Sequence, residues 1–346
     1  MQRPDTSRPG SPVPATMSAV WHDRYGTPEV LTTVTGVEVP TPRADQVLLR
    51  VHAAGISRGV IHMTSGLPRL VRLASGGQRP RQNIPGMDVC GTIVGVGPRV
   101  ADFAIGQRVF GIAHGSFAEY AVADAHKVAP APDDLSDAEC AVLAESGLTA
   151  VQALQRGGID ADSEVGRVRV LILGASGGVG SFAVKLASRW GANVSAVCSA
   201  RKAAEVEEWG AANVFDYRTG SRNALDHSYD VILDVAGGTP LKRMRRALSS
   251  RGSLVFVGNE NGGIWTGGYE RPFAYQIRML GHRQRFINLL VQTSQQDLQL
   301  LAAESRRGLR PHLHAVHPLS EVSTALGELI AGGVTGKSAL AINEKE

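Results

Sequence analysis

Two groups of residues have types and spacing that do chemistry. The first is Gly174-Ala175-Ser176-Gly177-Gly178-Val179-Gly180, and the second is Ser199-Ala200-Arg201-Lys202 about twenty residues on. Glycines let a backbone approach an anion, and the free N–H groups of a helix's first turn point at it with the positive end of the helix dipole. The first group therefore suits a pyrophosphate. Read as G-x-G-x-x-G it has Ala175 in place of the first glycine, and Ser181 after Gly180 excludes the lysine of a Walker-type loop. The second group offers a hydroxyl, a guanidinium and an ammonium where an NAD site has a carboxylate for the ribose hydroxyls. Together they suit a 2′-phosphate, which a carboxylate would repel, so NADPH is the expected cofactor. Two solvated cations opening a surface helix would explain Arg201 and Lys202 but not the missing acid.

These groups need particular elements to hold them. Val168 to Leu173 is a short apolar run of the kind found in strands buried on both faces of a sheet. Behind the glycines, Phe182, Ala183, Leu186, Ala187 and Trp190 recur at helical spacing, and Gly191 ends the pattern. Further strands are predicted at Val194–Cys198, Val214–Asp216, Val231–Val235 and Leu254–Val257, the last followed by Gly258, a further cofactor candidate. Helices are predicted at 203–209 and 240–248, with Thr239 as N-cap. Alternating strand and helix is the pattern of a doubly wound parallel sheet. Before it, from residue 17 to about 147, short strands separated by Gly and Pro predict a compact β-barrel-like domain. A Gly- and Arg-rich stretch between Ile56 and Pro85 reads as a long loop with a short helix, a place for substrate contacts.

Composition sets the outer bounds. A chain of 346 residues with 43% hydrophobic residues supports two domains. The net charge is +4 with cations spread along the chain, and the basic run Lys242, Arg243, Arg245, Arg246 and Arg251 reads as a solvated helix face, so nucleic acid is not an expected partner. Cys90, Cys140 and Cys198 are far apart and lack C-x-x-C spacing, which fits a reducing, cytoplasmic setting. Met1–Thr16 is rich in Pro, Ser and Arg and reads as a disordered tail, and no apolar run approaches the roughly 20 residues that span a bilayer. Gly333-Val334-Thr335-Gly336-Lys337-Ser338 mimics a phosphate loop, but Ala331 replaces its first glycine and a strand-like run follows, so a closing turn and last strand are expected.

Several motifs in order carry a family resemblance. Tyr25 to Leu31, Pro85-Gly86-Met87-Asp88, Val94-Gly95-Val96-Gly97, Gly147-Leu148-Thr149-Ala150 and Gly174 to Gly180 resemble the zinc-free quinone oxidoreductases of the medium-chain dehydrogenase/reductase superfamily, over nearly all of Met17 to Ile342. The resemblance implies an α/β fold with a GroES-like catalytic domain (17–147 and 288–346) and a Rossmann NADPH-binding domain (148–287), and a homodimer. It implies Ser199 and Lys202 at the 2′-phosphate, Tyr217 beside the adenosine phosphate, and Thr149 toward the nicotinamide; Tyr217 capping a strand and Thr149 capping a helix are the alternatives.

The zinc alcohol dehydrogenases share this fold, with a cysteine after Gly-Ile and a Gly-His-Glu further on. This chain has Ser57 after Gly55-Ile56 and Met87-Asp88 after Gly86, with Glu145 where another ligand might be. Hydroxyl and thioether are poor zinc ligands, so no metal site is expected and alcohol oxidation is disfavoured. Hydride delivery to a quinone or an α,β-unsaturated carbonyl needs only proximity and one donor for the developing oxyanion. In Gly55 to His62, which matches the family segment facing the nicotinamide, His62 and Ser57 are the candidate catalytic residues, with His114 and Tyr120 behind them. Val60 stands where many relatives have an acid. Two alternatives follow: an NADPH-binding interaction or regulatory protein with vestigial catalysis, and an enoyl-thioester reductase.

Overall fold

The computed structural model describes residues 12–161, 168–219, 228–258, 263–267, 270–279 and 281–342. Contacts divide the chain into two units, one comprising Met1–Gly66, Arg72–Glu145 and Thr293–Glu346, the other Leu67–Val71 and Ser146–Gln292.

The first unit opens with strands β1 (Thr16–Trp21) and β2 (Thr32–Glu38), an antiparallel ribbon. Residues 1–11 of the expected tail lie outside the described residues, and Thr16 already belongs to β1. Next come β3 (Gln46–Ile56), helices α1 (Arg58–Ser65) and α2 (Arg72–Ser75), then β4 (Asp88–Val96), β5 (Arg108–Ile112), β6 (Tyr120–Asp124) and β7 (Val128–Pro130). The stretch read as a loop with a short helix thus carries two helices, with a 3-10 turn at Arg69–Val71 between them. Helix α3 (Asp137–Ala141) follows, and then α4 (Ala144–Gly157), which from Ser146 onward belongs to the second unit. Ser136 starts α3 with a full capping box, its hydroxyl accepting from Glu139 N while the Glu139 carboxylate accepts from Ser136 N.

The second unit is a six-stranded, all-parallel sheet of β8 (Arg169–Leu173), β9 (Asn193–Cys198), β10 (Asn213–Asp216), β11 (Tyr229–Asp234), β12 (Leu248–Phe256) and β13 (Arg285–Asn288). The spatial order is β10-β9-β8-β11-β12-β13, so the order reverses at β8 and β11. Open α/β sheets bind ligands at that reversal, outside the carboxyl ends of the strands. Helices α5 (Gly178–Arg189), α6 (Ala203–Glu208), α7 (Leu241–Ala247) and α8 (Glu270–Met279) belong to this unit. Pro240, not Thr239, caps α7: its φ of −63° is ready for a helix start, while its ring leaves no N–H to lose. Leu171, Ile232, Leu254, Met244 and Tyr275 are among its buried core residues.

The chain then adds α9 (Gln295–Arg306), β14 (Leu313–Pro318), α10 (Val322–Ile330) and β15 (Lys337–Ala341) to the first unit. Its sheet runs β14-β15-β3-β4-β5-β7, with β6 also paired to β3. Leu326, Leu340 and Ile342 join Val47, Leu49, Ile93 and Phe117 in one core, so the last segment is integral to this unit. The phosphate-loop mimic at Gly333–Ser338 runs into β15, as a closing turn and strand. The three cysteines are buried and free. Among the described residues no helix is long and apolar enough to cross a membrane.

Candidate active site

In the second unit, β8 ends at Leu173 and the chain turns at Gly174 with φ of +87°, a conformation that favours glycine. The N–H groups of Gly174 and Ala175 both donate to Val197 O, at 3.1 and 3.0 Å, tying the loop to β9. Gly177 caps α5 without a side-chain bond, and the first intrahelical bond is Ser181 N to Gly177 O at 2.8 Å. The N–H groups of Gly178, Val179 and Gly180 precede that bond and form the helix end where an anion is favoured. A Cβ on Gly180 would lie 2.2 Å from Gly174 O, so a side chain there cannot be fitted without moving backbone. Ser176, Gly177, Gly178 and Val179 are half-buried at this end, whereas Ala175 is fully buried and its N–H is engaged. Ala175 therefore packs the loop.

At the end of β9, Ser199 opens a 3-10 turn over Ala200–Lys202. Arg201 is exposed, and Lys202 is only 8% exposed. Cys198 pairs with Asp216 of β10, and Tyr217 N donates to Cys198 O at 3.1 Å. That register brings Ser199, Lys202 and Tyr217 to the carboxyl ends of two adjacent strands, with Tyr217 half exposed and the Arg218 guanidinium 5.6 Å from its ring. Gly258 follows β12, its N–H donating to Asp234 O at 3.3 Å.

Asp234 itself escaped the sequence reading. It ends β11 fully buried, its Oδ1 accepting from Gly237 N at 3.0 Å. Burial pushes its carboxyl up to about 6, against the opposing pull of the Gly237 N–H and the Arg271 charge. The following Ala236 packs on the glycine loop: a Cβ on Gly174 would meet Ala236 Cβ at 2.9 Å. An acid closing the strand in Val-Ile-Leu-Asp was the available signal, but nothing in that signal separates a buried acid from a solvated one.

In the first unit, Ser57 is the N-cap position of α1 and is 6% exposed. Gly59, in the first turn, has no side chain where a Cβ would lie 2.9 Å from Glu145 Oε1, 2.9 Å from Met87 Cε and 3.4 Å from Ser57 Oγ. The three positions singled out by comparison with zinc dehydrogenases therefore converge on one point. Behind them Asp88, 1% exposed, accepts from Lys337 Nζ at 3.0 Å through Oδ2 and from Glu145 N at 2.8 Å through Oδ1. Gly55 leaves room for this carboxyl, since a Cβ there would come within 2.9 Å of Asp88 Oδ2 and 2.5 Å of Ala141 O. Glu145 is half-buried with Oε2 shielded from solvent. Burial raises its carboxyl above the ordinary glutamate range; the neighbouring Asp88 adds to the rise, and Lys337 and the Ser57 hydroxyl oppose it. Lys337, like Asp234, is a residue that sequence reasoning missed. A lysine leading an apolar strand, 3% exposed once folded, was the signal.

The other candidates are dispersed. His62 is half-buried one turn after Gly59, and its carbonyl accepts from Gly66 N at 2.9 Å. Val60 is 1% exposed and packed in the core. Tyr120 is a core residue with Met17, Ala19, Leu48 and Ala118, and His114 Nε2 faces Asp124 Oδ2 at 3.6 Å. Neither is part of the Ser57 group. Thr149, 8% exposed, lies inside α4 and does not cap it.

Comparison with known proteins bears on the fold and the family. Residues 43–133 match the alcohol dehydrogenase GroES-like domain, and residues 209–340 match the zinc-binding dehydrogenase family. The chain is 30% identical over 332 residues to a chloroplast envelope quinone oxidoreductase homolog of Arabidopsis thaliana, covering 93% of this chain and 97% of that protein. A chloroplastic quinone-oxidoreductase homolog of Spinacia oleracea is 31% identical over 330 residues, again 93% and 97%. Among solved structures, the quinone oxidoreductase of Coxiella burnetii superposes with a TM-score of 0.82 at 28% identity, covering 95% of this chain and all of that one. The chain belongs to the quinone oxidoreductase family of the medium-chain dehydrogenase/reductase superfamily and is an NAD(P)H-dependent oxidoreductase.

Proposed function

We propose that this protein is an NADPH-dependent, zinc-independent reductase of quinones or α,β-unsaturated carbonyls. The observation that carries the reading is the polar group around Gly59. Its donors are a hydroxyl, a thioether and a carboxyl that burial pushes toward its neutral form, and the Lys337 ammonium already supplies the positive charge. Such a set does not suit a tetrahedral zinc, which takes thiolate, imidazole or carboxylate ligands. A chemistry that needs no Lewis acid therefore fits these residues better than alcohol oxidation, and the quinone oxidoreductases among the relatives support the acceptor class.

The cofactor is read from the second unit. Gly178, Val179 and Gly180 would hold the pyrophosphate through their N–H groups, and Ser199, Arg201 and Lys202 would hold the 2′-phosphate through charge-assisted hydrogen bonds. Bound NADPH supplies a hydride. The chain's own contribution to the reaction is orientation and one hydrogen-bond donor for the acceptor oxygen, a role we give to Ser57, with His62 as a second donor on α1. A homodimer, which the family resemblance implies, would be tested by sedimentation at several concentrations.

The deciding experiment mixes the purified, metal-stripped chain with NADPH and a panel of quinones, conjugated ketones and enoyl thioesters, following nucleotide absorbance. Turnover of quinones or enones without added metal is expected. Preference for the thioesters would reassign the chain as an enoyl-thioester reductase. NADPH binding with no turnover of any acceptor would leave a binding module, the reading that the apolar Val60 favours.

A further inference from the structure

The basic run that the sequence presents as one solvated face divides in the folded chain. Arg243 and Arg251 are exposed, but Arg245 is half-buried and lines, with Lys242, Arg246 and Gln284, a cavity of about 260 Å³. Lys242, Arg245 and Arg246 stand at i, i+3 and i+4 on α7, the spacing that puts side chains on one helix face, where like charges repel. No acid lines the cavity, and among the described residues none of the three cations has a salt bridge. Arg245 Nη2 donates to His282 Nδ1 at 3.2 Å, so the neighbour of this guanidinium is another base. Its Nε is shielded from solvent and has no acceptor. A shielded cationic donor without an acceptor costs free energy, which an anion held against the guanidinium offsets. Gln284 Nε2 donates to the carbonyls of Arg245, Leu248 and Ser249 at 2.9, 3.2 and 3.2 Å, fixing the end of α7 that carries both arginines. Arg246 leads into β12 and Gln284 into β13, which run parallel, so the cavity lies beside the amino ends of the sheet. The glycine loop and Ser199 are at the carboxyl ends.

We propose that this face of α7 binds a diphosphate group, as free pyrophosphate or as the diphosphate of a nucleotide, at a site separate from the glycine loop. Guanidinium groups pair with phosphate oxygens bidentately, and an ammonium adds a point charge. Three cations around one cavity match the several charged oxygens of a diphosphate better than a single carboxylate. The cavity takes a compact anion whole. A nucleic-acid strand needs a longer stripe of cations than α7 offers over its length of about 10 Å, and aromatic side chains for its bases. None of the lining residues is aromatic. The site does not depend on the reductase reading.

Calorimetric titration with inorganic pyrophosphate tests the site in wild type, Lys242→Gln, Arg246→Gln and Arg243→Gln, with and without saturating NADPH. Pyrophosphate is expected to bind equally well in both conditions. Its affinity should fall by about 10-fold in Lys242→Gln and in Arg246→Gln. Arg243→Gln, which removes the same charge from the same helix outside the cavity, should leave it unchanged. ADP titrated under saturating NADPH separates the two sources: affinity like that of pyrophosphate, with the same losses, assigns the site to nucleotides, and much weaker binding assigns it to free diphosphate. Pyrophosphate that binds more weakly once NADPH is present belongs to the glycine loop and overturns the proposal. So do equal losses in all three variants, which reduce the site to a diffuse positive field, and the absence of any binding. A single-stranded oligonucleotide that displaces pyrophosphate more readily than ADP does overturns it in favour of a nucleic-acid surface.

Discussion

The two units hold a buried acid in opposite ways. In the first unit, Asp88 is held by the Lys337 ammonium and an amide, both supplied by segments remote in sequence. In the second, Asp234 has one amide at 3.0 Å from its own turn and the more distant pull of Arg271, and burial wins, pushing its carboxyl up to about 6. A buried carboxyl with a single local amide leans toward its proton. The first arrangement suits a fixed charge around which another acid can be tuned. The second suits a turn that has to hold the glycine loop in place.

The largest effect should come from breaking the paired case. Lys337→Met leaves two acids without their cation and is expected to cost about 3–5 kcal/mol in urea unfolding, with part of it recovered by adding Asp88→Asn. Full additivity of the two changes would show that the pair does not act as a unit. The unpaired case has the next largest effect and a definite sign. Because the carboxyl of Asp234 is raised from 3.8 to about 6, its contribution to stability is complete below pH 4 and is lost as pH rises through 6. Asp234→Asn keeps an acceptor for Gly237 N–H, so it should match wild type near pH 4 and exceed it above pH 6 by roughly 3 kcal/mol. Parallel stability curves for the two proteins would remove Asp234 from the comparison.

Two smaller changes test whether the second unit relies on backbone where the first relies on side chains. Gly180→Ala drives a Cβ into Gly174 O and the Ala175 backbone, and should cost about 1–3 kcal/mol of stability together with weaker nucleotide binding. Unchanged affinity by fluorescence titration would mean that the loop does not carry the pyrophosphate. Lys202→Glu should weaken NADPH by about 10–100-fold and NADH much less, a change worth roughly 1.4–2.7 kcal/mol. Equal losses for both nucleotides would sink the 2′-phosphate assignment.

The same contrast explains what the sequence makes visible. The parallel sheet is legible because Val168 to Leu173 and its counterparts are continuous apolar runs, and because a strand, glycines and a helix N-terminus act locally through backbone. Helix caps are less so: Pro240 takes the cap position that Thr239 would fill by composition. The Ser57 group is visible only in part, because its members come from Ser57, Asp88, Glu145 and Lys337 and no spacing rule connects them. Sequence alone marks Ser57, Met87 and Glu145 by comparison with ligand positions, yet it gives no hint that an ammonium stands behind them. Nor does alternation distinguish Tyr120 as a core residue from Tyr120 as a donor, since that depends on which face β6 turns inward.

The return of the last segment to the first unit has a temporal consequence. Lys337 is 249 residues after Asp88, and β15 lies between β14 and β3 in the sheet. At ribosomal speeds the acid emerges roughly 10–50 s before its cation, with the β3 edge that β15 will occupy still open. Contacts of such long sequence separation form late in folding. A nascent or truncated chain can therefore complete its parallel sheet while Asp88 still lacks its cation, so the buried charge of the first unit is settled only at the end of synthesis.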